Sequence, residues 1–315
     1  MTGFIDIPGN EPPAGASVET IAGPDGAPLR AAFFPIDQAR GTVLLLTGWS
    51  EFIEKYIETV HDLQARGFNV AMMDWRGQGL SDRQAVRECK WQGYFRILSD
   101  DLAHFFENHV KPRFDGPYIL MTHSMGGMPA LMLLSTGYEG FSRAVLSAPL
   151  TKLFPDPQDA ILRAVANAAS NLGLARSETA RGRDHADVFE GNIFTSDKRR
   201  HAMFRDLKLA EPKAASASPT YGWVNAAFKA SKAIHAPGAL TGIKVPVLII
   251  SAGGEKQIDG ADHHTIADAS DMVSCTLIPG ALHEIMMERD SIRDQFFKAF
   301  DDFVAPVFAA PSPAA

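Results

Sequence analysis

The hexapeptide T-H-S-M-G-G, residues 122–127, is the part of the chain best suited to covalent chemistry. An apolar run at 118–122 leads straight into Ser124, and a helical pattern begins at Gly126. A sharp strand-to-helix turn of this kind strains the backbone of its serine, lifts Oγ above the carboxyl edge of a sheet, and needs small residues beside it. Gly126 and Gly127 supply them. The usual form is G-x-S-x-G, and Thr122 stands here where the first glycine would be. An ordinary turn with an incidental serine would look the same, so the reading depends on its partners.

A serine hydroxyl is a weak nucleophile at neutral pH. It needs a base within hydrogen-bond reach and a third group to orient that base. After a turn of this kind the chain order is serine, acid, histidine. The chain has ten histidines. His123 adjoins Ser124 but its side chain should point away, and His61, His104 and His109 fall on helical patterns where a solvated or packed histidine is the ordinary case. His283 differs: it follows the last strand-like run and the turn I-P-G-A-L, which puts it on a loop at the same sheet edge as Ser124. The acid should come from the loop after the preceding strand, where S-A-G-G-E-K-Q-I-D offers Glu255 and, as the alternative, Asp259. Loop position favours Glu255, because Asp259 has an ordinary role available in capping the next helix. Charge developing on a carbonyl oxygen needs preorganised donors. The backbone N–H groups of Met125 and of Trp49, in the T-G-W segment at 47–49, are placed to supply an oxyanion hole.

The elements that must position these groups are legible as short apolar runs alternating with helical patterns, which predicts a mostly parallel sheet covered by helices on both faces. Strands are expected at 42–47, 69–75, 118–122, 143–148, 247–251 and 274–278, and helices at 54–66, 92–110, 126–134 and 292–304. Residues 17–36 hold two alternating stretches split by G-P-D-G, predicting a leading antiparallel hairpin. From 149 to about 238 the strand rhythm stops. Ile161, Val165 and Leu172 recur at helical spacing, as do Val224, Phe228 and Ser231 with Trp223 beside them. The expected organisation is an α/β core of residues 1–150 and 239–308, a helical cap at 151–238, and a disordered tail at 309–315.

Bulk composition narrows the partners. With 315 residues, 46% of them hydrophobic, the chain can bury a large core. A net charge of -7 gives no diffuse basic field for nucleic acid. Cys89 and Cys275 match no metal or redox spacing, so reduced buried thiols are expected, with no metal and no cofactor. Residues 1–18 lack the basic start and apolar core of a signal peptide, and no run approaches the length of a transmembrane helix. Together these favour a cytoplasmic protein.

Several longer motifs then carry a resemblance. H-S-M-G-G, D-W-R-G-Q-G-L-S-D-R at 74–83, P-G-A-L-H-E-I-M-M-E-R-D at 279–290, G-W-S-E-F-I-E-K-Y at 48–56, and N-I-F-T-S-D and P-T-Y-G-W-V within the cap resemble the lysophospholipase L2 and monoacylglycerol lipase-like branch of the α/β-hydrolases. The resemblance spans residues 44–303. It implies Ser124 as nucleophile, His283 as base, Trp49 and Met125 as oxyanion donors, and a shaped structural loop for D-x-R-G-x-G. It also implies an esterase acting on single-chain lipids, lysophospholipids or monoacylglycerols, with transient contact at the inner face of a membrane. Relatives commonly carry His-Gly where Thr47-Gly48 stands, and aspartate where Glu255 stands; the backbone donor and a carboxylate survive both changes. On this reading the cap aromatics Trp223 and Phe228 line an acyl pocket. An acyltransferase would use the same groups with an alcohol acceptor, and a non-catalytic binder would reuse the cap cavity. Dehalogenase or epoxide hydrolase chemistry would place aspartate at 124.

Overall fold

The computed structural model describes residues 3–82, 93–179, 188–215 and 218–309. Eight strands form one sheet: β1 (Ser17–Ala22), β2 (Pro28–Phe34), β3 (Gly41–Leu46), β4 (Phe68–Met73), β5 (Tyr118–His123), β6 (Arg143–Ser147), β7 (Val247–Ala252) and β8 (Val273–Ile278). Their spatial order is β1-β2-β4-β3-β5-β6-β7-β8. The first two pairings, β1 with β2 and β2 with β4, are antiparallel, and the remaining five are parallel.

Every residue of β3, β4 and β7 is buried. That is why these strands read as unbroken apolar runs: side chains alternate between two covered faces, not between core and water. Leu44, Leu46, Leu120 and Leu146 pack into the core on one face. Val43, Leu45, Met121 and Val145 pack into that on the other. A one-residue slip would exchange the two sets.

The covering helices are α1 (Ile57–Ala65), α2 (Tyr94–Phe105), α3 (Gly127–Leu134), α4 (Gln158–Ala169), α5 (Lys198–Ala210), α6 (Tyr221–Ile234), α7 (Asp262–Asp268) and α8 (Asp290–Phe308). Within the expected helix at 92–110, α2 passes at Phe106 into a wider π turn, Phe106–Val110, while Gln92 lies outside the described residues. Arg83, Cys89 and residues 310–315 of the expected tail also lie outside them. Cys275 is a half-buried free thiol whose pKa burial pushes up. Among the described residues, the segment between β6 and β7 holds α4, α5 and α6, as its periodicity predicts, and an isolated bridge pairs Glu178 with Thr220.

The apolar residues at helical spacing in the first part of this insertion do not face the core. Ile161, Val165 and Leu172 are 61%, 48% and 79% exposed. The inward residues of α4 are Ala166 and Ala169, with Leu162 half-buried. Small alanines let the helix sit close to its neighbour, so the larger side chains point out.

The C-terminus of α6 is tied to the start of α7 by His235. Its Nδ1 lies 2.7 Å from the Ser231 carbonyl oxygen, and its Nε2 lies 2.9 Å from both carboxylate oxygens of Asp262. Both partners only accept, so the arrangement favours the doubly protonated ring. The bond to Asp262 accordingly raises the His235 pKa, against the effect of burial. A raised histidine contributes stability that is fully present below its unfolded pKa, about 6.5, and is lost as pH rises through the folded value. The gap in melting temperature between the wild type and His235→Gln should therefore shrink from about pH 6 to about pH 8.5. A gap that stays constant in thermal melts across that range would remove the ion pair from the account.

Candidate active site

In the strand order, β3 and β5 are neighbours, but the chain reaches β5 only after turning back to β4 on the other side of β3. A crevice opens at the carboxyl ends of strands where the winding reverses in this way. The segment after β3 and the turn after β5 both sit there, and the loops after β7 and β8 join them.

Ser124 follows β5 directly, with φ +48°. A non-glycine residue in the left-handed region costs free energy unless its surroundings hold it there. Two glycines make the turn fit. A Cβ on Gly126 would come within 2.7 Å of the Thr47 carbonyl oxygen, and one on Gly127 within 2.4 Å of Pro149 Cβ. Thr122, in place of the usual first glycine, is fully buried in β5, and a Cβ on Gly126 would also come within 3.4 Å of its Cβ. Gly127→Ala should cost about 1–3 kcal/mol through overpacking, read as a lowered melting temperature by calorimetry. An unchanged melting temperature would mean that the Pro149 loop gives way freely.

Ser124 Oγ lies 2.8 Å from His283 Nε2, and His283 Nδ1 lies 2.7 Å from Glu255 Oε2. The other carboxylate oxygen, Oε1, accepts from the backbone N–H groups of Gln257 at 2.7 Å and Ile258 at 3.3 Å. Burial pushes the Glu255 carboxyl up, but His283 and these two amides outweigh it and hold it below the usual carboxylate range. An ionised carboxylate only accepts, so Nδ1 of His283 carries the proton and Nε2 is free to receive one from Ser124. Asp259, the alternative acid, points elsewhere: its carboxylate is 3.6 Å from Lys152 Nζ, and its N–H donates to the Lys152 carbonyl.

The loop carrying His283 is held from two sides. Beneath it, fully buried Lys55 donates to Glu284 at 2.7 Å and to Glu51 at 2.6 Å, and Tyr56 OH donates to Glu51 at 2.7 Å. Burial alone would lower the Lys55 pKa, but the two carboxylates raise it and keep the ammonium charged. His123 sits beside this group with its ring 5.1 Å from that of His283, and burial drives its pKa down to about 3. Its Nε2 lies 3.5 Å from the Glu51 carboxylate. From above, the insertion contacts the same loop. The Phe194 carbonyl accepts from Glu284 N–H at 2.8 Å, Thr195 Oγ1 donates to the Met287 carbonyl at 2.7 Å, and Arg200 donates to the Glu288 carbonyl at 2.7 Å.

Among the predicted site residues, Trp223 comes to the segment after β3, its ring 5.6 Å from that of Trp49 and 6.0 Å from that of Phe95. Phe228, five residues further along α6, is buried in the core cluster, and among the described residues it makes no ring contact with Trp49. Sequence reading missed Glu51, Lys55 and Glu284. All three stand in motifs named above, the first two at 48–56 and the third at 279–290, but their meeting spans more than two hundred residues and has no local signature.

Residues 37–290 match the model of the serine aminopeptidase S33 family. The chain belongs to this family. It is a hydrolase of the α/β-hydrolase fold. Among curated proteins it is 28% identical over 301 residues to lysophospholipase L2 of Escherichia coli K12, covering 90% of this chain and 86% of that protein. It is 27% identical over 273 residues to the probable lysophospholipase L2 of Haemophilus influenzae, covering 86% and 85%. Among solved structures it superposes on a soluble variant of monoglyceride lipase from Saccharomyces cerevisiae with a TM-score of 0.74 at 19% identity, over 93% of this chain and 97% of that one. In the sheet, Ser124, His283 and Glu255 lie just after β5, β8 and β7 respectively.

Proposed function

We propose that this hydrolase cleaves carboxylic esters of single-chain lipids through an acyl-serine intermediate. The observation that carries the reading is the unbroken chain from Ser124 Oγ through His283 to Glu255. Ser124 Oγ attacks the carbonyl carbon while His283 Nε2 takes its proton, and Glu255 holds the resulting imidazolium. The oxyanion is received by the N–H groups of Trp49 and Met125. His283 then protonates the departing alcohol, and a water molecule deprotonated by His283 releases the acid. The S33 description speaks of peptides and the same machinery cleaves amides, but the names of both curated relatives favour a lysophospholipid-type ester.

The insertion, residues 151–238, acts as a cap over the core formed by 1–150 and 239–308. Trp223 and Phe228 form part of its apolar inner side, with Trp223 against Trp49 at the reacting end. Its outer side presents Ile161, Val165, Leu172 and Leu174 to solvent, which favours transient contact with a lipid surface. No helix among the described residues is long and apolar enough to cross a membrane. A cytoplasmic setting, at the inner face of a membrane, fits the free Cys275 thiol.

The test is kcat/KM across monomeric esters of increasing acyl length. Each buried methylene contributes about 0.8 kcal/mol, so four added carbons should raise kcat/KM by up to ~10² before the pocket fills. Trp223→Ala and Phe228→Ala should flatten that slope. A preference confined to acetyl esters would defeat the lipid reading, and a slope indifferent to both substitutions would remove the cap from the acyl site.

A further inference from the structure

We infer that Gln78 is a positioning residue that sets the spacing between the two oxyanion donors; this rests on the reading of Trp49 and Met125 given above. Gln78 belongs to the loop after β4, in the motif D-W-R-G-Q-G, and is 2% exposed. Its carboxamide contacts the residue next to one proposed donor and the side chain of the residue that carries the other. Oε1 accepts from the Ser50 N–H at 2.5 Å, and Nε2 donates to the Met125 sulfur at 3.1 Å. The two partners come from different strand ends, one after β3 and the other after β5.

The consequence for the segment after β3 follows from three consecutive amides. The Gly48 N–H is taken by Glu51 Oε2 at 2.5 Å, and the Ser50 N–H by Gln78. The Trp49 N–H between them has no partner among the described residues. Ser50 has φ +63°, a left-handed conformation that a non-glycine residue keeps only where its surroundings fix it. Gln78 supplies that restraint on one side of Trp49, as Glu51 does on the other.

Gln78 is itself firmly placed. Its N–H donates to the Trp75 carbonyl at 2.9 Å. The following Gly79 has φ +54°, and a Cβ there would come within 2.3 Å of the Asp74 carboxylate. That carboxylate in turn accepts from the N–H groups of Ile53 and Leu80, each at 2.9 Å. Only a side chain with an acceptor and a donor on one planar group can hold Ser50 and Met125 together. Glutamate would keep the first contact and lose the second, and methionine would keep the volume and lose both.

Oxyanion donors act on charge that develops only in the transition state, so loosening them lowers kcat while leaving ground-state binding in place. Gln78→Met and Gln78→Ala should therefore reduce kcat by ~10- to ~10²-fold, less than the loss of a whole donor, with KM within about twofold. Gln78→Glu should fall between them and the wild type. The readout that packing damage alone would not move is a trifluoromethyl ketone, whose serine adduct carries the oxyanion. Its inhibition constant should weaken in each variant by the same factor as kcat, while a non-hydrolysable ether analogue of the ester binds as before. Equal ketone affinity in Gln78→Met and wild type, or a kcat within twofold of wild type, would overturn the assignment. Fluorophosphonate labelling of the wild type separates the two levels: no label on Ser124 defeats the proposed function, whereas a labelled wild type with an undiminished Gln78→Met defeats only the role of Gln78.

Discussion

Ser124→Ala should lower kcat by roughly 10⁴- to 10⁶-fold and leave KM nearly unchanged. The substitution removes the atom that, in the proposed mechanism, forms the covalent bond to substrate. It leaves His283, Glu255 and both backbone donors in place, so the residual rate is what binding and electrostatic stabilisation supply. The fold should not suffer, since alanine at position 124 keeps a Cβ and removes only a half-buried hydroxyl. A pre-steady-state assay with a chromogenic ester checks both halves: the burst that reports acyl-enzyme formation should vanish along with turnover. A Ser124→Ala protein with substantial turnover would mean that another group is the nucleophile.

The second large effect concerns the acid. Glu255→Gln should reduce kcat by ~10³- to ~10⁴-fold, because an amide facing Nδ1 can present N–H₂ and favour the tautomer whose Nε2 carries the proton. That tautomer cannot accept from Ser124. Asp259→Asn should stay within about threefold of wild type, since the Asp259 carboxylate faces Lys152 at 3.6 Å and not His283. The reverse ranking in steady-state kinetics would reassign the acid. Glu255→Asp is informative beside it: relatives of the resembling branch use aspartate, but here Gly260 packs against the Glu255 side chain, with a Gly260 Cβ position only 3.0 Å from Glu255 Cβ and Cγ. The loop is shaped around the longer side chain, so aspartate should recover only part of the rate.

The strands were legible because the sheet is buried on both faces, so β3, β5 and β7 declare themselves as apolar runs of strand length. Ser124 and His283 were legible for a different reason: a turn with two required glycines marks the first, and chain order marks the second. Glu255 and Asp259 could not be separated so cleanly, being four residues apart on one loop. What distinguishes them in space is Lys152, which comes from the start of the insertion and occupies the Asp259 carboxylate. Helical spacing also misled at Ile161 and Val165. Periodicity finds an apolar stripe but not what covers it, and on α4 the stripe that packs inward is made of alanines. Gln78 and the pairing of Lys55 with Glu284 were beyond reach because the partners lie on different loops, and a buried polar side chain has no period.

The central claim is that a covalent acyl group forms on Ser124 Oγ. The most direct measurement is mass spectrometry of protein quenched in acid during turnover of a slowly deacylated long-chain ester. The peptide containing residues 122–127 should gain the mass of the acyl group in the wild type and show no gain in Ser124→Ala. An acyl adduct on any other residue, or turnover with no adduct in a wild type that hydrolyses the same ester in a burst, would contradict the account.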